Sequence, residues 1–181
     1  MILDEANCGI QGLRIIVSRH DPQPAVGLID TFYELTDLVA DAGRETARIA
    51  EVLALDASLF APIESADYGY RGTLTLFHPD RLDRLEVITP HREGTTMNRF
   101  FRRIRGGLYM AFAETGHLAE IERRARESGA RHTAVPVPAA RDALGAHTVF
   151  LHPDALGGMM LGLSRRTYAW TWSGHPERVE H

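Results

Sequence analysis

Two stretches, TLTLFHPD at residues 73–80 and HTVFLHPD at 147–154, each end an alternating apolar run in the same His-Pro-Asp turn. The turns begin at His78 and His152, an offset of 74 residues in a chain of 181. A period that long, used twice, points to a duplicated unit rather than a solenoid array.

The rest of the chain repeats around those turns. DTFYELTDLVAD (30–41) is rich in β-branched and aromatic residues and reads as a strand. In AGRETARIAEVLAL, Thr46, Ile49, Ala50 and Leu53 fall at i, i+3, i+4 and i+7, one face of a helix, with Asp41 placed to cap it. SLFAPI, YRGTLTLFHP and RLEVITP then read as three strands. The second half runs in the same order. GGLYMAFAE is a strand, GHLAEIERRARESG a helix stopped by Gly129, and RHTAVPV a short edge strand. AHTVFLHP and GGMMLGLS close the series. The predicted fold is therefore α+β, two tandem β-α-β-β-β modules. The helical stretches superpose at an offset of 75 residues, which matches Glu34 with Tyr109. Between the modules, Met97, Phe100, Phe101 and Ile104 share one face of a short helix that Thr95 or Thr96 can cap. The divisions expected are a 1–29 extension with an extra strand over 12–20, a 30–92 module, a 93–105 linker helix, a 106–166 module and a 167–181 tail. The tail carries Tyr168, Trp170 and Trp172, which would share one face of an extended run.

A chain of this length can bury roughly 70% of its unfolded surface, enough for a core without staples. Its 44% apolar and 24% charged residues are ordinary globular values. A net charge of −4 argues against nucleic-acid binding, and no apolar run approaches the roughly 20 residues that span a bilayer. Cys8 is the single cysteine, so no internal disulfide forms. The start, MILDEANCG, carries acids where a signal peptide carries basic residues, so the expectation is a soluble cytoplasmic protein.

Two such modules joined by a short helix resemble the vicinal oxygen chelate superfamily, over about residues 30–166. LEVITPHREGTTMNRFFRRIRGGLYMAF and FLHPDALGGMMLGLS look most like methylmalonyl-CoA epimerase and its glyoxalase-like relatives. The resemblance implies curved sheets around a cup. It also implies a divalent metal held by one residue from the first and fourth strand of each module, usually His, Glu or Gln, His and Glu. Those positions fall here on Glu34, Glu86, Tyr109 and Gly162. Only Glu86 matches, and Gly162 offers no ligand atom. Transition-metal sites want imidazole or thiolate donors, so no cofactor is expected, with a weakly held divalent ion on the two carboxylates left open.

The candidate catalytic residues are Glu86, Glu34 and Tyr109. Two carboxyls facing each other across a dry cup raise one pKa and suit acid–base work, and Tyr109 can donate to an oxyanion. Strand alternation sets Tyr33 and Glu34 on opposite faces, so Glu34 can equally point outward. Tyr109 can equally be a core tyrosine. Glu86, between Leu85 and Val87, faces away from both. His91, Met160, Trp170 and Trp172 are the candidate substrate contacts, though Trp170 and Trp172 can equally pack on a second subunit. Arg99, Arg102, Arg103 and Arg105 read as a solvated helix face, and His78 and His152 as turn chemistry. The expected function is an isomerase or lyase that moves a proton next to the carbonyl of a small carboxylate or acyl thioester, in a homodimer. The alternative is a metal-free protein that binds an aromatic or hydrophobic small molecule. A ring-cleaving dioxygenase would need iron on a His-His-carboxylate face and is disfavoured.

Overall fold

The computed structural model describes residues 27–78, 80–136, 146–171, 173 and 175–179. The expected strand over 12–20 lies outside the described residues. The elements are β1 (Thr31–Leu38), α1 (Ala42–Leu53), β2 (Ala61–Ser65), β3 (Tyr70–Leu76), β4 (Arg84–Pro90), α2 (Thr96–Ile104), β5 (Gly107–Glu114), α3 (Leu118–Ser128), β6 (His132–Pro136), β7 (Ala146–Leu151) and β8 (Met160–Ser164). The order β-α-β-β-β thus occurs on both sides of α2. The described strands form one mixed sheet of eight, in the order β2-β3-β4-β1-β5-β8-β7-β6.

Local chemistry sets the helix ends. The Asp41 carboxylate accepts from the Arg44 N–H at 3.0 Å, and Thr89 of β4 accepts from the Ala42 N–H at 2.8 Å. Two of the orphan donors of α1 are thereby satisfied, one of them by the sheet beneath. Thr95 caps α2 through the Asn98 N–H, and Gly129 ends α3 at φ 71°. Both His-Pro-Asp turns join the third and fourth strands of their halves. His78 accepts from the Asp80 N–H through Nδ1, whereas His152 meets Thr133 of β6 through Nε2 at 2.9 Å.

β1 and β5 run antiparallel at the centre, with β4 and β8 parallel on their outer sides. Glu34 pairs with Phe112 and Thr36 with Met110. Positions 34 and 110, and 36 and 112, are therefore equivalent, an offset of 76 rather than the 75 expected. The starts of α1 and α3, Ala42 and Leu118, are also 76 apart, and each central strand carries one β-bulge at the equivalent place. Tyr33 is the extra residue between Phe32 and Glu34, and Tyr109 stands opposite the step from Thr36 to Asp37. A bulge turns two neighbouring residues to one face. Tyr33 and Glu34 are accordingly both buried, against the strict alternation expected, and the counterpart of Tyr109 is Tyr33, not Glu34.

One face of the sheet carries α3 on Ala111, Ala113, Val149, Leu161 and Leu163. The other face is the cup, lined by Tyr33, Leu38, Ile88, Tyr109, Met110 and Phe112. The apolar edge of α2 covers part of it with Met97, Phe100 and Phe101. Each apolar side chain closed off here, such as Leu38 or Ile88 at 0% exposure, contributes roughly 1.5–3 kcal/mol. The tail is not the extended run expected. Tyr168–Trp170 and Pro176–Arg178 are 3-10 turns, and Ala169 packs into the cup cluster.

Candidate functional site

The cup gathers its charged groups from two adjacent parallel strands. Glu34 and Thr36 alternate along β1, and Arg84 and Glu86 along β4, with Glu34 opposite Arg84 and Thr36 opposite Glu86. All four side chains point to one face, and all four residues are buried. Arg84 donates from Nε to Glu34 Oε2 at 2.6 Å, with both side chains essentially inaccessible at 0% and 2%. Thr36 donates to Glu86 Oε2 at 2.5 Å. The Arg84 guanidinium also lies 5.6 Å from the centre of the Tyr33 ring. Arg84 was not among the residues expected from sequence. The signal was the i, i+2 spacing of Arg84 and Glu86 in one strand.

The two carboxyls have different fates because one has a cation and the other does not. Burial pushes the Glu34 carboxyl up, and Arg84 pulls it back. Burial, and then the charge of Glu34, pushes Glu86 up to about 8. The ion pair with Arg84 at contact distance opposes that rise at Glu34, whereas the close contact of Glu86 is the neutral Thr36 hydroxyl. Burial also pushes the phenols of Tyr33, Tyr70 and Tyr109 up, which keeps them as hydrogen-bond donors. Tyr33 is within 3.0 Å of the Ser164 hydroxyl. Tyr109 meets Phe100 edge-on at 5.0 Å between ring centres and feels the charges of Arg99 and Glu86, so it lies on the same side of the sheet as Glu86.

The other expected residues are distributed differently. Met160 is half-buried against the cup cluster, next to Met110. His91 is exposed in the turn after β4, held by its N–H on the Gly69 carbonyl. Trp170 is buried within the tail, with the His175 ring edge-on at 5.8 Å and the Arg178 guanidinium 4.6 Å from its centre. It therefore offers no exposed face of the kind expected from an extended row. Trp172 lies outside the described residues. Arg99, Arg102, Arg103 and Arg105 are exposed on or just after α2. Two surface cavities lie elsewhere. One of about 680 Å³ runs between the start of α1 and the β2–β3 pair, and one of about 500 Å³ lies between α3 and the β7–β8 turn.

No family model matches the chain, and no curated protein matches it. Among solved structures it is similar to methylmalonyl-CoA epimerase of Mycobacterium tuberculosis, at TM-score 0.66 and 20% identity over 85% of this chain and 98% of that one. A Streptomyces coelicolor methylmalonyl-CoA epimerase variant in complex with 2-nitronate-propionyl-CoA aligns at TM-score 0.63 and 15% identity, over 77% of this chain and 96% of its own. A hypothetical protein of Bacillus halodurans aligns at TM-score 0.60 and 17% identity, over 76% and 94%. The chain has the vicinal oxygen chelate fold.

That fold implies a metal centre, and the cup's residues do not fit one. Glu34 spends its carboxylate on Arg84. At position 162, the counterpart of Glu86, the ring of Phe112 fills the space a side chain would need. Among the described residues, no group of three or more His, Cys, Asp or Glu side chains is placed to hold a metal ion. What the vicinal oxygen chelate cup holds here is an arginine paired with one buried carboxyl, and a second buried carboxyl with a raised pKa. That set can donate and accept a proton beside a stabilised anionic oxygen.

Proposed function

We propose that this protein is an isomerase-type enzyme that moves a proton on the carbon next to a carbonyl, on a small carboxylate or an acyl thioester. The observation that carries this reading is Glu86, a buried carboxyl with its pKa at about 8, held by Thr36 and sharing a strand face with Arg84. A general acid–base works best with a pKa near the working pH, and burial supplies that here. Glu86 exchanges the proton. Glu34 acts by keeping Arg84 in place rather than as a second acid, because its carboxylate is committed to the guanidinium. Tyr109 serves as the donor to the developing oxyanion. Support also comes from similar solved epimerases in complex with 2-nitronate-propionyl-CoA and with methylmalonyl-CoA.

The test is solvent deuterium exchange into candidate acyl thioesters and carboxylates, followed by mass spectrometry. Glu86→Gln keeps size and hydrogen bonding but removes the base, so exchange is expected to fall about 100-fold or more. Full-rate exchange by the variant would remove Glu86 from the role.

A second reading is favoured by the aromatic lining of Tyr33, Phe100, Tyr109, Phe112 and Phe150. A protein that only sequesters an apolar aromatic compound would bind it equally well with Glu86→Gln and show no exchange. The homodimer belongs to this proposal too. Phe32, Leu35 and Leu108 stand exposed on the outer face of β1 and β5, and light scattering at micromolar concentration tests whether a second copy covers them. No helix of the described residues is long and apolar enough to cross a membrane.

A further inference from the structure

The tail closes the cup without joining the sheet. After β8 the chain turns back over the cup, and Ala169, Trp170 and Ser173 become buried. Several ties hold it to the rest. The Glu114 carboxylate accepts from the Thr167 N–H at 2.6 Å, and Arg178 lies 3.5 Å from Asp80. The innermost tie falls on Arg84. Its Nη1 donates to the Ser173 hydroxyl, and its Nη2 reaches the Ala169 carbonyl at 3.5 Å.

The guanidinium therefore has two unlike edges. Its Nε carries the charged bond to Glu34, while the two terminal nitrogens face a neutral hydroxyl and a weak carbonyl contact. A planar guanidinium fork matches a carboxylate with two parallel bonds, and charge-assisted bonds are about twice as strong as neutral ones. A short segment outside the sheet opens locally for less than global unfolding requires.

We infer that the outer edge of Arg84 is a carboxylate-binding site, and that Ser173 and the Ala169 carbonyl are place-holders which an incoming carboxylate displaces as the tail lifts. Arg84 then binds the acid group of the ligand and sets the neighbouring carbon beside Glu86, two residues along the same strand face. The inference rests on the proposed function for the chemistry at that carbon, but not for the binding.

The experiment titrates malonate into the full-length protein, with malonamide as the uncharged control, followed by tryptophan fluorescence and calorimetry. Malonate is expected to saturate the wild type and malonamide not to. Glu34→Leu combined with Arg84→Met replaces both charges by apolar side chains, and its folding is checked by circular dichroism. In that variant malonate affinity is expected to fall tenfold or more. Ser173→Ala removes the competing hydroxyl and is expected to tighten binding several-fold. Wild type that does not bind malonate, a double variant that binds it as well as wild type, or Ser173→Ala that weakens it would each overturn the inference. Malonate binding without any isotope exchange would leave this site standing and defeat the proposed function. Exchange at the wild-type rate in the folded double variant would do the reverse.

Discussion

The ring of Phe112 lies over the backbone of Gly162, in the volume where a side chain at that position would stand. β5 and β8 are parallel neighbours with these two residues in register, so the contact is built into the sheet. Phe112 then hands the packing on to Phe150, edge-on at 5.7 Å, and to Tyr33 at 5.9 Å. One half of the cup is filled with aromatic rings where the other half holds charge.

Gly162→Ala is expected to destabilise the fold by about 1–3 kcal/mol through overpacking. Phe112→Ala alone costs about 3–5 kcal/mol by leaving a cavity. The double variant is expected to be more stable than the sum of the two effects, because each change relieves the other. Urea unfolding of all four proteins checks this, and simple additivity would show that the ring can move aside freely.

The Glu34–Arg84 pair has a different signature. Glu34→Gln strands a buried guanidinium and is expected to cost about 3–5 kcal/mol. Glu34→Leu with Arg84→Met removes both charges and is expected to be neutral or stabilising, since apolar packing replaces a desolvated pair. A double variant less stable than the single would show that the pair contributes more than its desolvation costs.

Glu86 makes stability fall with rising pH. Its carboxyl moves from 4.5 to about 8 on folding, so between those values the folded chain holds a proton that the unfolded chain has lost. Its contribution is complete below about pH 4.5, declines as pH rises, and is lost above about pH 8. Glu34, also raised, acts in the same direction. The surface carboxylates with lowered values, such as Glu120, titrate below this window and act in the opposite sense. The urea midpoint is therefore expected to be higher at pH 6 than at pH 8.5, and Glu86→Gln is expected to flatten the difference. A midpoint that rises over this range would contradict the assigned protonation.

Metal content follows from the donor set. Protein purified without an affinity tag is expected to carry well below one equivalent of zinc, nickel, cobalt or iron by mass spectrometry. One equivalent that survives dialysis would show that Arg84 and Phe112 yield to an ion.

Element order was legible because it is local. Caps at Asp41, Thr95 and Gly129, and the two His-Pro-Asp turns, are read from a few neighbouring residues. The exact match between halves was not, because it is fixed by the register in which β1 and β5 pair across more than 70 residues of chain. Arg84 was missed for a related reason. At the start of an apolar run it reads as the end of a turn, and its partner Glu34 is 50 residues away. In the tail, alternating aromatics suggested a strand, whereas burial falls on Ala169, Trp170 and Ser173, the spacing of a turn of helix.

The bulge at Tyr33 lets the cup change its stock without changing its frame. Loss of that one residue would restore simple alternation and leave Phe32 opposite Ala113 and Glu34 opposite Phe112, on the faces they already hold. Loss of Tyr109 would do the same to β5. In a lineage of such chains, one codon inserted or deleted at a bulge adds or removes a cup side chain while the rest of the strand keeps its register, a step that no substitution takes.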